Sequence, residues 1–198
     1  NYTLSHCIGD SPDLTSEGPD AGETNNKVGS RSFDRGECNG DRRQIFNLTS
    51  VAQTPQFAGR TMRMVASGWT LSGIYRRSSG SPLNVLAGSD RALNGVQSFF
   101  SGTNFQRGNQ LSANVNSDQS GRPFTNWIDR AAYDLPALGT LGNVRRNSVI
   151  GPPSWSFDMA LSRAFRFKES QRVEFRAEAF NLTNSFRPGN PNTTLSSS

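Results

Sequence analysis

Hydrophobic and polar residues alternate with a period of two over several stretches of this chain. Trp155 to Phe167 (WSFDMALSRAFRF) sets Trp155, Phe157, Met159, Leu161, Phe165 and Phe167 on one side. Ser156, Asp158, Ala160, Ser162, Ala164 and Arg166 take the other, and Arg163 alone breaks the apolar side. Arg172 to Leu182 (RVEFRAEAFNL) puts Val173, Phe175, Ala177 and Ala179 opposite Glu174, Arg176 and Glu178. Successive residues of a strand point to opposite sides of a sheet, so this is the strand period. The polar stretch Lys168 to Gln171 between the two runs predicts a hairpin. Three further strands are predicted near residues 1–8, 43–54 and 62–77. In the last of these, Trp69, Leu71, Gly73 and Tyr75 share a face, and Leu83 to Leu86 continues it after a kink.

The connections differ sharply in length. Residues 9–40 and 88–153 are rich in Gly, Ser, Asn and Asp and read as long polar loops, with one short helical turn over Asn126 to Tyr133. Pro55 to Thr61 and Lys168 to Gln171 read as short turns. Loops so long are unusual inside a compact soluble domain. Short turns on one side and long loops on the other are ordinary in a membrane barrel.

Alternation alone fits either a soluble sandwich or a barrel wall. Three features favour the wall. The two best strands are as long as the roughly 9–11 residues that a tilted membrane strand needs. Aromatic residues gather near strand ends: Trp155 and Phe157, Phe165 and Phe167, Trp69 and Tyr75. Such girdles mark the membrane–water interfaces. Glu174, Arg176 and Glu178 form a charged side suited to a cross-strand ion ladder facing a polar lumen. The predicted fold class is therefore all-β, with antiparallel strands of an outer-membrane-type barrel, incomplete in this chain because about five strands are too few to close.

Composition agrees. Only 33% of the 198 residues are hydrophobic, and mean hydropathy is −0.59. No run approaches the roughly 18 apolar residues of a membrane helix. The net charge of +5 comes almost wholly from arginine, the only lysines being Lys27 and Lys168. Arginine excess fits contacts to lipid phosphates. Nucleic acid is not an expected partner, since the aromatics lie mainly on the side without charge.

Cys7 and Cys38 are the only cysteines and His6 the only histidine, too few for a zinc site of the usual donors, so no metal or cofactor is expected. An even cysteine count in a loop-rich chain favours a disulfide, either between these two or to neighbouring subunits. No catalytic constellation is visible. Strand neighbours such as His6 and Cys7 point apart, and Arg176 separates Glu174 from Glu178, so no enzyme is expected.

Several phrases resemble a known family: Asp41 to Phe57 (DRRQIFNLTSVAQTPQF), Gly68-Trp69 with Ser79 to Leu83, Ala137 to Pro152 (ALGTLGNVRRNSVIGP), and Phe175 to Asn184 (FRAEAFNLTN). In this order they resemble the C-terminal barrel of TonB-dependent receptors, of the acidobacterial type with a carboxypeptidase-regulatory-like domain. A cysteine pair before Asp41 matches that pattern too. The resemblance implies a barrel of about 22 strands that moves bulky substrates across the outer membrane. It implies a location in the bacterial outer membrane or cell surface, with lipid or lipopolysaccharide against the wall. At the sheet edges the expected partners are the remaining strands of a longer chain or copies of this one. It maps no substrate-binding residue here. Two other readings stay open: a receptor-derived structural β polymer, and a secreted β-sandwich binding module.

Overall fold

The computed structural model describes residues 1–9, 31–95, 106–115, 127–168 and 171–196, and the side chains of 31, 167 and 168 lie outside that description. Parts of the loops expected over 9–40 and 88–153 fall outside it as well. The elements in chain order are β1 (Tyr2–Leu4), β2 (Ile8–Gly9), β3 (Gly36–Glu37), β4 (Gln44–Gln53), α1 (Arg60–Ala66), β5 (Trp69–Ser78), β6 (Pro82–Leu83), β7 (Asn109–Gln110), β8 (Tyr133–Asp134), β9 (Val149–Ile150), β10 (Ser154–Lys168) and β11 (Gln171–Ala179). They divide into two compact units. The sheet unit holds Asn1–Leu4, Gln44–Ser78 and Ser154–Arg187, and the loop unit holds Ser5–Arg43, Ser79–Pro153 and Pro188–Ser198.

The sheet unit is one antiparallel sheet of five strands in the order β1-β4-β5-β10-β11. Its centre is a long ladder between β5 and β10, running from Ser78↔Ser154 to Trp69↔Arg163. β11 pairs with the other side of β10 from Ala179↔Met159 onward, with a register shift between Arg166 and Lys168. The period-two pattern thus produces the predicted hairpin. At the centre of the sheet, a side chain on Gly73 would press on the Phe157 ring at 3.2 Å. Its absence leaves a notch in which that ring lies.

Three boundaries depart from the sequence pattern, each for a physical reason. The strand expected from residue 62 begins at Trp69, because Arg60–Ala66 is helical. A helix of seven residues is marginal alone, and its last carbonyls lack internal partners. Here Trp69 Nε1 donates to Val65 O at 2.8 Å, and the Arg163 guanidinium donates to the carbonyls of Arg63, Met64 and Val65. The expected short turn before β5 is therefore a longer, helical connection. The single strand expected over 1–8 divides into β1 and β2, interrupted where the Cys7 carbonyl accepts the Cys38 N–H at 3.1 Å. The last strand ends at Ala179 rather than Leu182. Asn181 turns to φ 49°, its N–H donates to Asp158 Oδ1 at 2.8 Å, and its side chain bonds Ser185.

The loop unit carries three two-stranded ladders, β2-β3, β6-β9 and β7-β8. Leu83 therefore belongs to a separate ladder and does not prolong β5. The expected helical turn narrows to a 3₁₀ turn at Arg130–Ala132, capped by the Asp129 side chain. Val85, Ala132, Tyr133, Val144, Val149 and Leu195 form a buried apolar cluster. Beside it, Arg107 forms a buried ion pair with Asp34 at 2.8 Å, donates to Val144 O and Phe33 O, and lies over the Phe33 ring. Cys7 and Cys38 are joined in one intrachain disulfide, so the alternative of bonds to neighbouring subunits does not apply.

Candidate functional site

The registers assign every sheet residue to a face. Side chains directly opposite each other in a sheet lie on the same side. Phe157 pairs with Tyr75 and Tyr75 with Leu48; Leu161 pairs with Leu71 and Ala177; Arg163 pairs with Trp69 and Phe175. One continuous face therefore carries Trp69, Tyr75, Trp155, Phe157, Phe165, Phe175 and the aliphatic residues between them. Phe167 belongs to the same predicted set, but its side chain lies outside the described residues.

This face is mainly apolar, and among the described residues no second sheet covers it. Leu48 is 51% exposed, Val173 56% and Phe175 49%. Among the described residues of the sheet unit, only Ser67, Gly73, Ser156 and Ser185 are buried. The sheet thus has no hydrophobic core of its own. Soluble monomers rarely expose contiguous apolar patches beyond a few hundred Å². A single sheet with its apolar side outward matches a barrel wall in lipid and not a sandwich, in which two inner faces interdigitate.

The aromatics of this face separate into two groups. At one end Tyr75 is centred 6.0 Å from both Phe46 and Trp155, and Phe157 lies opposite Tyr75 in the register. At the other end Trp69 packs edge-on against Phe175 at 6.0 Å. Arg163 lies there, 5.4 Å from the Trp69 ring centre and 4.5 Å from that of Phe165. This explains the one polar residue that breaks the apolar side of β10. Its charge is spent on helix carbonyls and aromatic faces, as snorkelling side chains do at an interface. Trp155 and Phe165 are ten residues apart, roughly 33 Å along a strand. At a tilt of about 45° that spans roughly 23 Å of membrane, close to the apolar band of about 25 Å in such barrels. Phe46 and Phe175 complete the two groups. Neither was singled out from sequence as a girdle residue, because the strand register that aligns them is a long-range property.

The opposite face is polar. Glu174, Arg176 and Glu178 share it, and toward β10 they form no cross-strand ladder, since their partners there are Ala164, Ser162 and Ala160. The ion pairs run along β11 instead: Arg172 with Glu174 at 3.1 Å and Arg176 with Glu178 at 2.5 Å. All four side chains are substantially exposed, so these pairs contribute little stability. A concavity of about 280 Å³ lies between Ser72, Ile74, Asp158, Arg176, Glu178 and Phe180.

The loop unit brings together a group that cysteine and histidine counting missed. His6, Glu37 and Asp41 offer ligand atoms within 4.8 Å of one another. The signal lay in joining the cysteine pairing to the carboxylates that flank Cys38. The arrangement offers no nucleophile activated by a base.

No curated protein and no solved structure matches the chain. A family model described as "Outer membrane beta barrel domain" matches residues 1–198. The uncovered apolar face, the two aromatic groups and this match together establish that the chain belongs to that family, as an antiparallel barrel-type protein of the bacterial outer membrane.

Proposed function

We propose that this sheet is a segment of the wall of a TonB-dependent receptor, a transporter of bulky substrates and not an enzyme. One observation carries the reading: a five-stranded sheet whose apolar face, among the described residues, has no second sheet packed on it and leaves Leu48, Leu71, Trp155, Val173 and Phe175 exposed. In the outer membrane that face lies against the acyl chains of phospholipid and lipopolysaccharide, and the charged face of β11 borders the aqueous interior. β1 and β11 have unpaired edges among the described residues. Unpaired edges invite further strands, and in this reading the rest of a longer wall supplies them. Nucleic acid has no role here.

The test of the wall is depth-resolved fluorescence quenching. Variants that keep Trp69 or Trp155 as the only tryptophan are folded into vesicles containing brominated lipid. Both should be quenched most strongly by bromines near the headgroups. Quenching of neither would sink the reading. The receptor identity has its own test, which is cross-linking of the intact receptor to TonB in cells. A barrel that inserts but never cross-links serves another purpose.

The polymer reading rests on the same two edges. Both thiols are used within the chain, so it predicts non-covalent multimers without detergent and no ladder that collapses on reduction. A single band that shifts with reductant, together with detergent-dependent solubility, favours the wall.

A further inference from the structure

His6, Glu37 and Asp41 meet at the feet of the loop closed by the disulfide. The Asp41 N–H donates to the Cys38 carbonyl at 3.0 Å, and Ile8 pairs with Glu37 across β2 and β3. These ties hold three separated residues at one point. His6 Nε2 lies 3.7 Å from Glu37 Oε1 and 4.0 Å from Asp41 Oδ2. A tetrahedral zinc ion, with bonds of roughly 2.0–2.2 Å to nitrogen and oxygen, sets its ligands about 3.4 Å apart. The three ligand atoms lie within 4.8 Å of one another, so side-chain rotations must draw them together by up to about 1.4 Å.

Two observations point to a cation as the ligand of this group. The Asp41 side chain is only 2% exposed, and its Oδ2 has no hydrogen-bond partner. Buried polar atoms are nearly always paired, and an unpaired carboxylate oxygen requires an explanation. Glu37 Oε2 is likewise buried without a partner. The second observation is Arg43, whose guanidinium donates to Glu37 Oε1 and lies 3.3 Å from His6 Nε2. A cationic group thus stands where an ion would bridge these two atoms. Its side chain is half exposed and is free to swing outward.

We propose that His6, Glu37 and Asp41 form a binding site for one divalent cation of the zinc class, with the Arg43 guanidinium as its stand-in when metal is lacking. One imidazole and two carboxylates favour zinc, nickel or cobalt over calcium or magnesium, which prefer all-oxygen sites. The two carboxylates balance the ion's charge. Three protein ligands leave a fourth position open to water or a ligand atom. A cleft of about 320 Å³, lined by His6, Ile8, Gly36, Glu37 and residues Arg145 to Ser148, adjoins it.

The test uses the full chain in detergent micelles, free of any histidine tag, titrated with Zn²⁺ by calorimetry and with Co²⁺ by visible absorption. The expected result is one Zn²⁺ per chain, with weak or no Ca²⁺ uptake. His6→Ala and Asp41→Asn should each weaken Zn²⁺ binding by roughly 10–100-fold or more. Arg43→Gln should strengthen it, a gain that misfolding does not imitate. The proposal is overturned if Zn²⁺ does not bind at millimolar concentration, if His6→Ala leaves the affinity unchanged, if Ca²⁺ binds as well as Zn²⁺, or if Arg43→Gln weakens binding.

Discussion

The sheet unit and the loop unit use hydrophobic residues in opposite ways. In the sheet, Leu48, Leu71, Trp155, Val173 and Phe175 stand on the surface, while the buried residues are serines and a glycine. In the loop unit, Val85, Val144, Val149 and Leu195 are sealed inside. One chain therefore contains parts built for two solvents. Where lipid surrounds the protein, burial from water happens at the outer surface and no interior is needed. Where water surrounds it, a small interior must form, and a cluster of six residues is too small to hold long loops alone. The loop unit adds a buried ion pair and a disulfide, and the described residues of the sheet have neither.

The contrast predicts where each kind of change hurts, from most to least. Arg107→Ala strands Asp34 as a buried charge without its partner. The expected loss is about 3–5 kcal/mol, confined to the loop unit and read by denaturant unfolding. Cys7→Ala with Cys38→Ala releases a loop closed across a separation of 31 residues. That should cost about 3–4 kcal/mol in the same measurement. In the sheet the informative test is a pair of substitutions one residue apart. Leu161→Arg puts a charge in the middle of the lipid face and should lose about 2–4 kcal/mol of stability in vesicles. Ser162→Arg points the other way and should change little. Equal effects would abolish the two-solvent picture. Glu178→Gln, which breaks the exposed pair with Arg176, should cost less than about 1 kcal/mol.

The smallest expected effect is on pH response. The Asp90 carboxylate accepts the amides of Gly95 and Asn94 and a Gln106 side-chain proton, and the Gly95 amide chiefly holds it below its ordinary pKa of 3.8. The folded form therefore binds that proton less readily than the unfolded chain. Its contribution is present above the ordinary value and fades as pH falls through the lowered one. Hydrogen exchange at Gly95 and Asn94 should quicken in that acid window, and Asp90→Asn should remove the dependence.

The sheet was largely legible in the sequence because period-two alternation records a face with a single solvent. β10 and β11 are where the pattern is most regular. Legibility ended where structure depends on partners far along the chain. Arg60–Ala66 is helical because Arg163, about a hundred residues later, binds its carbonyls. Residues 88–153 read as surface, yet Ala132, Tyr133, Val144 and Val149 are buried there. Their apolar residues are isolated among polar ones and follow no period. The charges of β11 were correctly set on one face, but their pairing along the strand follows from the neutral Ala160, Ser162 and Ala164 opposite them. His6, Glu37 and Asp41 come together only through the cysteine linkage.

The notch at Gly73 bears on how the strands find their alignment. Sliding β10 by one position against β5 turns every side chain to the wrong solvent, so that error corrects itself. Sliding by two keeps each side chain on its proper side, and hydrophobicity is blind to it. Steric shape is not: the Phe157 ring would then meet Leu71 or Tyr75 where it now finds an empty place. A glycine in mid-strand thus acts as the keyway that counts in twos.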